Sequence, residues 1–264
     1  MKYLYYFRLS FSESVAYRFS MLLSLIVAPL TVIIQFFVWR ALLSTQERIV
    51  GFTLDSIVIY FILASLLQYF VYTEVIDLYK EYFVKGTLTR DLLRPVSLFP
   101  LYLFWSMGGR FLAILIEILP LVLASGFLLG FGALVPAQSL LFFLSLPIAY
   151  LLYFSLAFLL AQTGFWSNQL HGMKMVFFMI FLMGTGFAFP LSILPEFLQL
   201  ISLYLPFQHV IFAPAMYFIG DFSLAGSSAA WMNLLRGIIW VFILILLALY
   251  VQRRGLNRYQ GVGQ

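Results

Sequence analysis

Long apolar runs separated by short polar breaks organise this chain. Runs at residues 21–43, 54–72, 107–130, 140–165, 175–194 and 231–251 are each close to the ~20 apolar residues a helix needs to cross a bilayer. Ahead of the first run, Leu4, Phe7, Phe11, Val15 and Phe19 recur at steps of three or four, with Lys2, Arg8, Glu13 and Arg18 between them. That period predicts an amphipathic helix over residues 1–20, lying in the membrane interface. After the second run, Glu74, Asp77 and Glu81 keep helical spacing, which predicts a helical extension into water over residues 73–83. Residues 195–221 are apolar but broken by Pro195, Pro206 and Pro214. Their pieces of about ten residues give roughly 15 Å of helix, half of a ~30 Å hydrocarbon core. The expectation is a re-entrant outer hairpin of two short helices, which must be buried in protein or line a wet cavity. The predicted fold class is thus an all-α polytopic membrane protein with six transmembrane helices, taken as one permease domain over residues 1–264.

Composition agrees with this pattern. The chain is 64% hydrophobic and 9% charged, with mean hydropathy +1.03, against about 25% charged in a soluble domain. Its surface could not be covered in water. The formal net charge of +5 would suit nucleic acid, but the basic residues sit in loops, as the cytoplasmic loops of membrane proteins do; no nucleic-acid partner is expected. With the N-terminus inside, eleven of the fifteen Lys and Arg fall on the inner side. A full seventh span at 195–221 would send Arg253, Arg254 and Arg258 outside and break that bias. Six spans with both termini cytoplasmic is the consistent count. The run at 21–39 is too long for the apolar region of a signal peptide, and no small-residue cleavage site follows it. There is no cysteine, so disulfides and Cys-ligated metals are excluded.

Candidate chemistry is sparse. Arg110 and Glu117 are ionisable groups in the third run, seven residues apart and so on nearly one helical face. Arg110 is near enough to the inner end to snorkel as an interface anchor; Glu117 is deeper and needs a partner, a neutral state or a role near a path. His171 and His209 fall on opposite sides of the membrane and cannot share a metal, so no metal site is expected. No GxxxxGK[ST] loop occurs, so any energy from ATP must come through another chain. Gly184 and Gly186 permit close helix approach. Gln35, Glu117, Gly184, Gly186, Pro195 and Pro206 are the candidates for a translocation path or its gate.

One short segment is dense in charge: residues 80–100, carrying Lys80, Lys85, Arg90, Arg94, Glu81 and Asp91. Within it, Gly86 suits a helix C-terminus, Thr87 the start of a new turn, and Pro95 its stop. The product is a short amphipathic helix with Leu88 and Leu92 on one side and Arg90, Asp91 and Arg94 on others, suited to docking into a groove. This glycine followed by Leu92-Leu93-Arg94-Pro95 after the second run resembles the membrane subunits of the type-2 ABC exporter family. The tail Gly255-Leu256-Asn257-Arg258-Tyr259-Gln260-Gly261-Val262-Gly263 and the proline-rich hairpin are similar to the same family, and the layout agrees over essentially the whole chain.

The resemblance implies a homodimer, or a heterodimer with a second six-span permease. Two ABC ATPase subunits would carry ATP and Mg, with no cofactor in this chain and no catalytic residue. It makes residues 80–100 the coupling segment, with Gly86, Leu88, Arg90, Asp91, Leu92, Leu93, Arg94 and Pro95 as the ATPase-docking residues. It puts spans one, two and five beside the path and the hairpin at the gate. The implied activity is export of an amphiphilic small molecule, a lipid or a glycan across the cytoplasmic membrane. A proton-coupled carrier using Glu117 and a membrane-embedded lipid-modifying enzyme are the rival classes; the second lacks a cluster of acids or a histidine pair.

Overall fold

The computed structural model describes residues 2–16, 18–42, 54–79, 88–167, 170–220 and 227–259. The expected turn at 44–53, the first part of the charged segment (80–87, Gly86 included) and the end of the tail (260–264) lie outside the described residues. Among the described residues there is no strand. Among the described residues, four segments are long and apolar enough to cross a membrane: Ser56–Tyr79, Leu98–Leu129, Ser139–Phe165 and Ala229–Leu256, with Leu170–Gly184 a shorter apolar helix.

The chain opens with α1 (Lys2–Ala16) and α2 (Arg18–Leu42). α1 is a helix, as the period predicts, and the face it turns to the protein differs from the whole apolar face expected to meet the interface. Tyr6 and Ser10 are buried, whereas Leu4 and Val15 are exposed. The reason is its neighbour. α1 lies along α6 (Leu98–Ala113), with Tyr3 stacked on Phe104 and Phe7 and Phe11 against Phe111. At the closest point there is no side chain on one partner: a Cβ on Gly108 would run into the Phe7 carbonyl, and one on Gly109 would meet the Ser10 hydroxyl at 3.0 Å. Small residues let the two backbones approach.

α3 (Leu54–Val71) and α8 (Ser139–Gln162) form the centre. α3 buries Ile57, Val58, Tyr60, Phe61, Ile62, Leu63, Ala64 and Leu67, on all of its sides. α8 does the same from Ala149 onward, with Leu152, Phe154, Ala157, Phe158 and Ala161, while its first turns expose Leu140, Phe143 and Leu144. Uniform burial is what a helix apolar all round requires. α12 (Ser227–Leu256) lies along α8 and buries Ala230, Leu234, Val241, Leu244 and Ala248, one stripe at steps of three, four and seven. Its other face exposes Leu235, Ile239, Phe242 and Leu246. An apolar face of that length open to the surroundings fits lipid or another apolar chain.

Several boundaries differ from the sequence expectation. The extension of α3 is not continuous: residues 72–74 are not helical, and a short helix, α4, follows at 75–79. Helical bonding stops at Tyr72 N–H to Gln68 and resumes at Leu78 N–H to Glu74. β-Branched Thr73, a weak helix former, stands in the gap. α6 begins at Leu98, nine residues before the third apolar run, because Pro100 falls in the first turn, where its missing N–H costs nothing. From α6 the chain passes through one turn of π-helix, Ile114–Ile118, into α7 (Leu119–Leu129). Pro120 explains that turn: it cannot donate to Ile116, and its ring crowds that carbonyl unless the helix widens. α9 (Leu170–Gly184) starts inside the expected polar loop and stops ten residues early. α12 extends past residue 251 into the expected tail.

After Gly130, with φ 84°, the turn is a short 3₁₀ segment, Phe131–Leu134. The hairpin region contains two short helices, α10 (Glu196–Tyr204) and α11 (Phe212–Ile219), as the prolines predict. They are unequal. α11 is buried from Ala213 to Phe218, whereas α10 has no buried residue and exposes Phe197, Leu200, Ile201 and Tyr204.

Candidate functional site

Two regions gather the sequence candidates. The first is α5 (Leu88–Leu92) with the turn that follows it. Pro95 ends the turn, and Leu93 N–H still reaches Thr89 O at 3.1 Å. The candidates here do not share one face. Leu88 is fully buried in the chain's own core, and Asp91 is 2% exposed. Asp91 accepts a hydrogen bond from the Tyr102 hydroxyl at 3.0 Å and pairs with Arg94 at 3.2 Å. Arg94 in turn lies 5.8 Å from the Tyr6 ring of α1. Leu92 and Leu93 point away; Leu93 is 82% exposed. So Leu88, Asp91 and Arg94 anchor the element, and Leu92 and Leu93 are what it presents. Arg90 belongs to α5, but its side chain, like Gly86, lies outside what the structure describes.

The anchor runs deep. Tyr102 packs edge-on against Tyr79 of α4 at 5.2 Å, and Tyr79 against Phe158 of α8 at 5.5 Å. On the other flank the hydroxyls of Thr89 and Tyr259 are 3.3 Å apart, and Tyr259 packs against Phe165. α4, α5, α6, α8 and the residues after α12 thus meet in one aromatic cluster.

The second region is a cavity of about 350 Å³. Ser65, Gln68, Tyr69 and Tyr72 line it from α3 and its end, Glu74 from the break before α4, Arg110 and Glu117 from the α6–π segment, and Phe187 from beyond α9. Arg110 and Glu117, expected on nearly one face, form an ion pair with each other. The Arg110 guanidinium also lies 5.8 Å from the Tyr72 ring. Glu117 thus has the partner that a charge in an apolar segment needs while it also lines the cavity, and Arg110 is paired and largely buried rather than a free interface anchor. Glu74 is exposed and makes no ion pair among the described residues. Gln68 Oε1 and Arg110 Nε have no hydrogen-bond partner there either. Just outside, Lys174 donates to Asp77 at 2.6 Å and ties α9 to α4.

The glycine candidates join α9 to both α3 and the hairpin. Gly186 has φ 82°, and a Cβ there would lie 2.6 Å from the Tyr60 hydroxyl, which itself donates to Gly186 O at 2.6 Å. Phe212 N–H of α11 donates to Thr185 O at 3.0 Å, and Phe207 sits 3.2 Å from a Gly184 Cβ. Pro195 and Pro206 each stand immediately before a short helix, at the two bends of the hairpin. Gln35 lies in α2, its side chain outside the described ones. Among the described residues no group of three or more His, Asp or Glu could hold a metal.

Sequence reasoning missed the Gly108–Gly109 contact with α1, the membership of Glu74 in the cavity, and the anchoring role of Tyr102. Only the first had a signal: the glycine pair in one segment and Ser10 and Ser14, four apart, in the other. In comparison with known proteins, residues 30–263 match a family model described as ABC-2 family transporter protein. No curated protein matches the chain.

Proposed function

This chain belongs to the ABC-2 transporter family, and from that premise we propose that it exports an amphiphilic small molecule, a lipid or a glycan, driven by a separate ATPase. It is a multi-pass membrane permease subunit, of a family whose membrane component lacks a nucleotide-binding domain of its own. The finer reading adds two ATPase subunits that hold ATP and Mg, a dimer of permeases, six spans in the cytoplasmic membrane and both termini inside. In the six-span count, α2 supplies the first span, at 25 residues or roughly 37 Å. α9 with the residues to Leu194 supplies the fifth, and α10 and α11 form the outer gate.

The observation that carries the ATPase role is the build of α5. An element meant to receive force from another protein needs an exposed contact and a stiff root. Leu92 and Leu93 supply the contact, and the Asp91–Tyr102 bond, the Asp91–Arg94 pair and buried Leu88 supply the root. Because α3 and α4 are broken at 72–74, the push on α5 reaches α6 and α8 through Tyr102, Tyr79 and Phe158 rather than along one continuous rod. Affinity purification of the full chain from its own cells tests this. The expected result is a co-purifying Walker-type ATPase whose turnover rises when it is bound. Transport that persists with that ATPase deleted and follows a pH gradient would replace this reading with the proton-coupled carrier.

A further inference from the structure

We propose that the cavity between α3, the α6–π segment and Phe187 binds an amphiphilic organic cation, the protonated amine or quaternary ammonium of the transported molecule. The proposal rests on the permease reading and narrows its substrate class. Three charged side chains line the cavity: Glu74, Arg110 and Glu117. Arg110 and Glu117 neutralise each other. Glu74 remains, exposed and without an ion pair among the described residues. Among the described residues, the charge left over in the cavity is therefore one carboxylate.

The rest of the wall has the matching character. Tyr69 and Phe187 present two aromatic rings beside Tyr72, whose ring already faces the Arg110 guanidinium. Ring faces attract a cation by their quadrupole, and a carboxylate beside them completes a site for ammonium groups. The same rings accept the apolar part of the molecule, and a volume of about 350 Å³ lies at the lower end of the range for small-molecule sites. The cavity also sits at structural seams. It spans the break at 72–74 and the π-turn at Ile114–Ile118, and such turns occur frequently at functional sites. An anion would meet the uncompensated Glu74, and the charge of the cation in the described wall, Arg110, is already matched by Glu117 although its Nε has no hydrogen-bond partner there.

Calorimetric titration of the full chain in nanodiscs of neutral phosphatidylcholine tests the assignment. The probes are benzyltrimethylammonium and the similarly sized anion benzenesulfonate. Wild type is expected to bind the cation saturably and to bind benzenesulfonate at least tenfold more weakly. Glu74→Gln should weaken cation binding about tenfold with an unchanged thermal midpoint, since the side chain is exposed. Glu196→Gln, a carboxylate removed from α10 instead, should bind as wild type. Absence of saturable cation binding by wild type, equal binding by Glu74→Gln, or preference for benzenesulfonate would each overturn the proposal. These titrations need no ATPase, so their failure leaves the permease reading intact, and failure to co-purify an ATPase leaves the binding result intact.

Discussion

Glu117 and Arg110 show why two charges in an apolar segment need each other. Each side chain is largely buried, at 16% and 11% exposure. A charge left alone there loses its counterion and cannot recover it from water, which costs about 3 kcal/mol or more. Arg110→Ala should therefore lower the thermal midpoint in detergent more than Arg110→Ala/Glu117→Ala does, because the double variant leaves no orphan charge. Additive losses in that cycle would show that the two groups act separately. The sequence revealed that both residues were unusual, since charge stands out against a greasy segment. It did not reveal Glu74 as their neighbour in the cavity. That depends on α3 breaking at 72–74, which helical spacing through Glu74, Asp77 and Glu81 argued against.

At the scale of elements, α5 separates residues that look alike in sequence. Leu88, Leu92 and Leu93 all read as docking leucines, yet one is buried and two are exposed. Leu88 is fully buried; burying a leucine contributes roughly 1.5–3 kcal/mol, and Leu88→Asp should destabilise the chain itself. Leu93→Asp should keep the wild-type thermal midpoint and lose the co-purifying ATPase. Retention of the ATPase at wild-type level by Leu93→Asp would remove α5 as the docking element. The difference was illegible beforehand because Leu88 belongs to a core assembled from helices across the chain. The start of α6 was hidden for a similar reason: Pro100 reads as a breaker, and only its place in the first turn makes it harmless. The two short helices of the hairpin, by contrast, were legible, since proline spacing and helix rise alone set their lengths.

For the whole molecule, hydropathy was a good guide to the all-helical, membrane-spanning character of the chain and a poor one to the inner faces of its helices. In a chain bordered by lipid, the side facing a neighbour and the side facing outward are both apolar. The contrast that marks a core in a soluble protein is then faint. α12 illustrates it, with Leu234 and Leu244 inside and Leu235 and Leu246 outside. Topology can still be tested cleanly, because the chain has no cysteine of its own. With six spans, an impermeant thiol reagent added to intact cells should label Val135→Cys and Glu196→Cys. It should reach Glu13→Cys and Arg254→Cys only after permeabilisation. Labelling of Arg254→Cys from outside, with Glu13→Cys protected, would require an odd number of spans.

The contact between Gly108 and the Phe7 backbone bears on how this sequence can drift. Where two side chains touch, a change on one helix can be offset by a change on the other. Here the atom facing Gly108 is a main-chain carbonyl, which every residue carries. No replacement at position 7 makes room for a methyl group at position 108. In descendants that keep α1 seated on α6, position 108 stays glycine whatever residue position 7 carries, so the two positions show no covariation despite lying in contact.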